Sequence, residues 1–240
     1  MNTRRKFLLQ GTMATTALIV TKPFNAVART LSPVTGFSDN DNKVIFLHTG
    51  NQNYNYQHHT IKQINLLKKN TGNLLLLHAG NITDSPDTQL KYDITMPADI
   101  TTDDYRILYK GNIKIGIINA VAGEKDTVKR INTVSAWLKK EKRCQIVACL
   151  SQLGYKNKTS LDDRQLALES SNLDIIMGGH PSNICDRTTI MRNSKKEEVI
   201  INSVAGKTID FGNIEIGFDE NGKKNFIAIN NLRKPTAANN

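Results

Sequence analysis

Residues 145–182 read QIVACLSQLGYKNKTSLDDRQLALESSNLDIIMGGHPS. An apolar run from Ile146 to Leu150 stops at Ser151, Gln152, Leu153 and Gly154; a second, from Leu173 to Met177, stops at Gly178, Gly179 and His180. About twenty helix-compatible residues lie between them, so the two runs read as parallel strands joined by a crossover helix near Asp162 to Ser170. Both runs end abruptly in small and polar residues, which is where an open α/β sheet keeps its site. Those two strand ends are the first place to look for chemistry.

Upstream, Lys43 to His48 (KVIFLH) is the first strand. His58 to Lys69 is a weakly amphipathic helix with Ile61, Ile64, Leu66 and Leu67 turned inward, and Gly72 is a candidate for its C-terminal cap. Leu74 to Leu77 is apolar throughout and is expected to be buried on both faces. Thr83 to Thr102 is loop-like, because Pro86 and Pro97 interrupt any continuous helix. Asp104 to Tyr109 and Lys114 to Ile118 straddle Gly111 and Asn112, a hairpin signal. From Asp126 to Lys140 a helix presents Val128, Ile131, Val134, Trp137 and Leu138 on one face. Downstream come strands around Ile190, from Val199 to Val204, from Gly212 to Phe218 and from Phe226 to Ile229, with a turn at 219–222. Parallel β-α units followed by antiparallel hairpins predict a layered α/β or α+β sandwich.

The chain has 240 residues, 39% of them hydrophobic and 22% charged, enough for one medium domain with a full core. Its formal charge of +10 is partly local, since Arg4, Arg5, Lys6 and Lys22 have no acid among the first 28 residues. The remaining +6 is interspersed with acids, which excludes a concentrated nucleic-acid footprint. Residues 1–28 combine Arg4-Arg5 in TRRKFLLQG, a moderately apolar stretch and a small-x-small site at Ala26-Val27-Ala28, as in a twin-arginine-type export signal. The protein is therefore expected in the periplasm or cell envelope, with a linker at 29–42, a domain at 43–232, a flexible tail at 233–240 and no integral membrane domain. Cys144, Cys149 and Cys185 form no CxxC pair. Cys149 reads as a buried small hydrophobe, and a Cys144–Cys185 bridge stays open in an oxidising compartment. The Lys/Glu clusters at 139–143 and 195–198 read as solvated surface.

Four strand-to-loop junctions carry the remaining information: His48-Thr49-Gly50-Asn51-Gln52-Asn53, His78-Ala79-Gly80-Asn81, Leu150-Ser151-Gln152-Leu153-Gly154 and Gly178-Gly179-His180-Pro181-Ser182. If one parallel sheet contains all four strands, their tips converge on one edge. His48 and His78 read as strand-end residues that hydrogen-bond locally. Ser151 has no neighbouring base in sequence, so it is not a serine nucleophile.

In order and spacing these junctions resemble the metallophosphoesterase superfamily, specifically the catalytic domain of bacterial exported 5′-nucleotidases. That family carries HTNDxHG, a GD motif, GNHE, sHLG and GGHTH. The resemblance implies a four-layer αββα sandwich, here shortened, with two divalent metals held at the strand tips for phosphate-ester hydrolysis. It covers nearly all of Lys43 to Ile229. Carried over by position, the family's metal-ligating aspartate and histidine of the first motif fall on Asn51 and Asn53. The bridging aspartate falls on Asn81 and the sHLG histidine on Gln152. His180 keeps the first histidine of the last motif, while Ser182 replaces the second. GNHE has no counterpart.

The chemistry of these replacements runs one way. Two divalent cations about 3.5–4 Å apart need anionic ligands to bridge them. A carboxamide is neutral and offers one carbonyl oxygen beside an NH2 donor. The expected reading is an exported metallophosphoesterase-like protein without two-metal hydrolysis and with no cofactor. Its candidate partners are a small nucleotide or phosphate ligand held by His180, Asn51, Asn81 and Gln152, or a partner envelope protein. The rival reading is a divergent phosphatase or 5′-nucleotidase with zinc, manganese or iron on His180, Asn51, Asn81 and an acid such as Asp84. A third is a structural envelope protein.

Overall fold

The strands sort into two sheets, not one. The computed structural model describes residues 42–50, 58–80, 90–96, 105–180, 188–204 and 209–233. In chain order these form β1 (Lys43–Thr49), α1 (His58–Asn70), β2 (Leu74–His78), β3 (Ile94–Thr95), β4 (Arg106–Lys110), β5 (Ile113–Ala120), α2 (Thr127–Lys140) and β6 (Ile146–Ser151). There follow α3 (Asp163–Glu169), β7 (Ile175–Gly178), β8 (Thr189–Arg192), β9 (Glu198–Ser203), β10 (Ile209–Phe218), β11 (Lys224–Ile229) and β12 (Leu232–Arg233). The first sheet has the order β11-β10-β1-β2-β3 with β12 on β10; the second has the order β4-β5-β6-β7-β9-β8. Residues 1–41, which include the expected export signal and most of the expected linker, and residues 234–240 lie outside the described residues.

The β6-α3-β7 unit is as its sequence predicts: β6 and β7 pair in parallel, with Ser151 opposite Gly178. β1 and β2 make the same kind of pair in the other sheet, joined through α1. A local β-α-β pattern specifies each pair but not which pairs share a sheet. The expectation of four tips on one sheet edge is corrected accordingly. Strand period two then divides the side chains. Phe46, Leu75, Leu77, Ile115, Ile117, Ala148, Leu150, Met177 and Ile214 meet in a core between the sheets. Ile131, Leu138, Val147, Cys149, Leu166 and Ile176 pack α2 and α3 on the outside of the second sheet. Ile45, Leu47, Leu74 and Leu76 pack α1 on the outside of the first. The layers are thus helix, sheet, sheet, helix.

Local departures have local causes. Leu66 is 55% exposed, because it lies about 200° around α1 from Ile64 and misses the buried stripe. Gly72 has no left-handed backbone, so it is not the glycine cap expected. Lys139 is not merely solvated: its ammonium sits 2.6 Å from Asp174, which also bonds Lys224 of β11. Burial alone would raise the Asp174 pKa, but the two ammonium groups hold it below the usual carboxylate range. This ion cluster ties the start of β7 to both α2 and the opposite sheet.

Cys144 and Cys149 are both buried and free; Cys185 lies outside the described residues. Burial pushes the Cys149 thiol well above its ordinary pKa, so almost none of it is thiolate at neutral pH. In native protein the Cys149 peptide is expected to stay unalkylated over hours and to react within minutes in denaturant. Peptide mapping after iodoacetamide treatment measures this, and fast native labelling would mean that β6 opens.

Candidate functional site

The tips of the parallel strands from both sheets meet at one place, and they meet through backbone. A Cβ on Gly50, just past β1, would lie 2.3 Å from the Val204 carbonyl oxygen and 2.8 Å from Gly179 Cα. A Cβ on Gly179, just past β7, would lie 2.2 Å from the Ala79 carbonyl oxygen. Main-chain bonds continue the ladders into the junctions: Ala79 N to Thr49 O at 2.8 Å, Gly179 N to Ser151 O at 2.8 Å, Gln152 N to Ala120 O at 2.9 Å and Val204 N to Gly178 O at 2.9 Å. The ends of β1, β2, β7 and β9 are therefore in contact, with β6 beside β7. Glycine at 50 and 179 is what lets the two sheets touch here.

Of the residues singled out from sequence, Gln152 and His180 lie at this junction. Asn51, Asn53, Asn81 and Ser182, with Asp84 and Asp87, lie outside the described residues. Gln152 follows β6, half-buried, and its Nε2 is enclosed with no hydrogen-bond acceptor. His180 follows Gly179 and is half-buried.

Two histidines underlie the tips. His48 is fully buried on the inter-sheet face of β1, with Nε2 3.0 Å from Asn202 Oδ1. The Asn202 Nδ2 donates to Thr188 Oγ1 at 3.0 Å and to Asn231 Oδ1 at 2.9 Å, so its Oδ1 is the acceptor and His48 carries its proton on Nε2. His48 Nδ1 is then a buried acceptor without a donor. His78 repeats the arrangement on the other face. The Thr49 hydroxyl donates to Tyr92 and lies 2.8 Å from His78 Nδ1, which must donate to it, and Nε2 is left without a partner. Burial lowers both imidazoles from 6.5 to about 4, with the Asn202 bond opposing the shift at His48. Both are neutral at physiological pH.

A second polar group lies on the helix side of the same strand ends. Asp163, the first residue of α3, is fully buried, and its Oδ1 accepts a hydrogen bond from the Ser151 hydroxyl. Its Oδ2 and the Ser203 Oγ have no partner. Sequence reasoning missed this group. Asp162-Asp163 looked like an ordinary acidic helix start, and Asp162 does cap α3, accepting from Gln165 N at 2.8 Å. Which of the two aspartates turns into the protein depends on the helix's angle to the sheet, and no local pattern encodes that.

The ligand set that the resemblance assigns is one imidazole, His180, with neutral amides and a hydroxyl at Asn51, Asn53, Asn81, Gln152 and Ser182. Among the described residues no three His, Cys, Asp or Glu side chains gather within reach of one ion. Among the described residues, the enclosed and unpartnered Gln152 Nε2, at a position the resemblance gives to a metal ligand, is an amide donor, which repels a cation. Among the described residues no helix is long and apolar enough to cross a membrane.

No protein-family model matches the sequence, and no curated protein matches it. Solved structures do. The Haemophilus influenzae NAD nucleotidase superposes with a TM-score of 0.57 at 14% identity, over 80% of this chain and 50% of that one. The Thermus thermophilus 5′-nucleotidase precursor superposes with a TM-score of 0.54 at 14% identity, over 80% of this chain and 55% of that one. The chain spans about half the length of these proteins. Over that length, its two face-packed sheets with helices on both outer faces share the fold of these two proteins.

Proposed function

We propose that this protein is a binding module that uses the strand tips around Gln152 and His180 for a small, acceptor-rich ligand, a nucleotide or free phosphate, without two-metal hydrolysis. The observation that carries this reading is the Gln152 amide: a buried N–H donor with no acceptor, where the resemblance places a metal-ligating histidine. An unsatisfied buried donor is costly, and a phosphate oxygen would satisfy it. A cation would not. The names of the two structural neighbours, a NAD nucleotidase and a 5′-nucleotidase, favour a nucleotide over other acceptors. The twin arginine and small-x-small site within residues 1–28 support action outside the cytoplasm, with the domain at 43–232 carrying the site.

The test is calorimetric titration of the full chain with AMP and with inorganic phosphate, in chelator. Binding at micromolar affinity is expected, weakened about tenfold in Gln152→Leu, the cost of one buried hydrogen bond. The reading is overturned by near-stoichiometric zinc, manganese or iron retained through gel filtration, together with phosphate-ester turnover that His180→Ala abolishes.

A further inference from the structure

The segment that carries Gln152 is tied down by a side chain outside the strand-tip set. Ser151, Gly178 and Ser203 stand in register across β6, β7 and β9. A Cβ on Gly178 would come within 2.9 Å of Asp163 Oδ2 and 2.8 Å of Ser203 Oγ. The glycine thus opens the floor on which the Asp163 carboxyl rests. From there the carboxyl accepts a hydrogen bond from the Ser151 hydroxyl, and the same Ser151 oxygen accepts from Leu153 N at 3.2 Å. Asp163 N donates to Gly154 O at 2.9 Å, and Asp162 Oδ2 accepts from Asn157 N at 2.8 Å. Residues on either side of Gln152 and further along the loop are all fastened to the first turn of α3.

Anchoring a short helix needs no buried carboxyl. Leu166 and Ala167 already seat α3 by apolar burial. A carboxyl with one oxygen unpartnered costs stability, and what it supplies that apolar contact lacks is direction.

We propose that Asp163 is a positioning residue for the strand-tip segment: lying on Gly178 and bonded to Ser151, it fixes residues 151–157 and so aims the Gln152 amide. The role in ligand affinity rests on the binding reading above; the tethering of the segment does not.

The experiment compares Asp163→Ala, Asp163→Asn and Ser151→Ala in the full chain at pH 8. It reads amide hydrogen exchange by NMR together with AMP affinity by calorimetry. In Asp163→Ala, exchange at 152–157 is expected to rise about tenfold, with β5 and α2 unchanged, and AMP to bind about tenfold more weakly. Asp163→Asn should restore both to within about twofold, because its Oδ1 still accepts from Ser151 and its Nδ2 can donate to Ser203 Oγ. Ser151→Ala breaks the same bond from the strand side and should loosen the same residues, which keeps the test open if Asp163→Ala does not fold. Exchange that rises evenly through α3 and β7, with 152–157 not singled out, overturns the proposal. So does Asp163→Ala binding AMP as tightly as wild type. If wild type does not bind AMP while 152–157 loosen as described, the tether stands and the binding reading falls.

Discussion

Replacing Gly179 with alanine is expected to cost at least about 3 kcal/mol of stability, the upper range for overpacking, because the clash is with backbone. Its methyl carbon would sit 2.2 Å from the Ala79 carbonyl oxygen and 2.5 Å from the carbonyl carbon. A side chain in that position could swing away, but Ala79 cannot. Its amide is bonded to Thr49 O, and its own side chain is fully buried in the inter-sheet core. Relief would require the two sheets to separate at their tips, undoing the contact of Gly50 with Gly179 and Val204. Gly72→Ala is the matched control: its methyl meets nothing within 4 Å and its backbone lies outside the left-handed region, so a change within about 0.5 kcal/mol is expected. Urea unfolding of both variants measures the difference. A Gly179→Ala protein within about 1 kcal/mol of wild type would mean that the sheets do not meet at this point.

That contact also marks what could and could not be read from the sequence. Gly50 and Gly179 stood out as glycines at strand ends, and the helix-sheet units around them follow from period and composition. β2 was legible as doubly buried because all four of its leucines are apolar, and α2 because Ile131 and Leu138 recur at helical spacing. The partition into two sheets was not legible in the local pattern and entered only with the αββα sandwich that the resemblance implies. A β-α-β unit looks the same whether its neighbour pairs with it or packs across from it, and only the inter-sheet core distinguishes the two. At the site, the expectation of a depleted ligand set rested on residue type alone, since Asn51, Asn53, Asn81 and Gln152 are visible as letters. Asp163 was invisible for the opposite reason. Its type is ordinary at a helix start, and its meaning lies in the absence of a side chain at Gly178, on another strand. Lys139 likewise belonged to a run of surface charge until Asp174 and β11 were brought to it.

Stability is expected to fall on acidification from pH 6.5 to pH 4, through His48 and His78, with Asp163 opposing them. Each histidine has its pKa lowered from 6.5 to about 4 by burial. Between those values the unfolded chain takes up protons that the folded protein refuses, so stability drains away as pH falls, by up to about 3 kcal/mol per histidine. Asp163 has the opposite sign. Burial raises it from 3.8 to about 7, the Ser151 bond opposing and Asp162 adding to the rise, so the folded protein keeps a proton that the unfolded chain releases. Its contribution is fully present below pH 3.8 and is lost as pH climbs to 7, about 4 kcal/mol in all. Over the shared window two histidines outweigh one carboxyl, leaving a net loss of about 3 kcal/mol on going from pH 6.5 to 4. Asp163→Asn removes the opposing group. The variant is expected to match wild type near pH 4, to exceed it by about 2–4 kcal/mol at pH 8, and to lose stability about twice as steeply in between. Urea midpoints taken every half pH unit on both proteins separate the contributions. Parallel curves for wild type and Asp163→Asn would mean that the carboxyl is not held protonated over Gly178. A wild-type curve flat from pH 6.5 to 4, beside a rising Asp163→Asn curve, would mean that only one of the two imidazoles is kept neutral by burial.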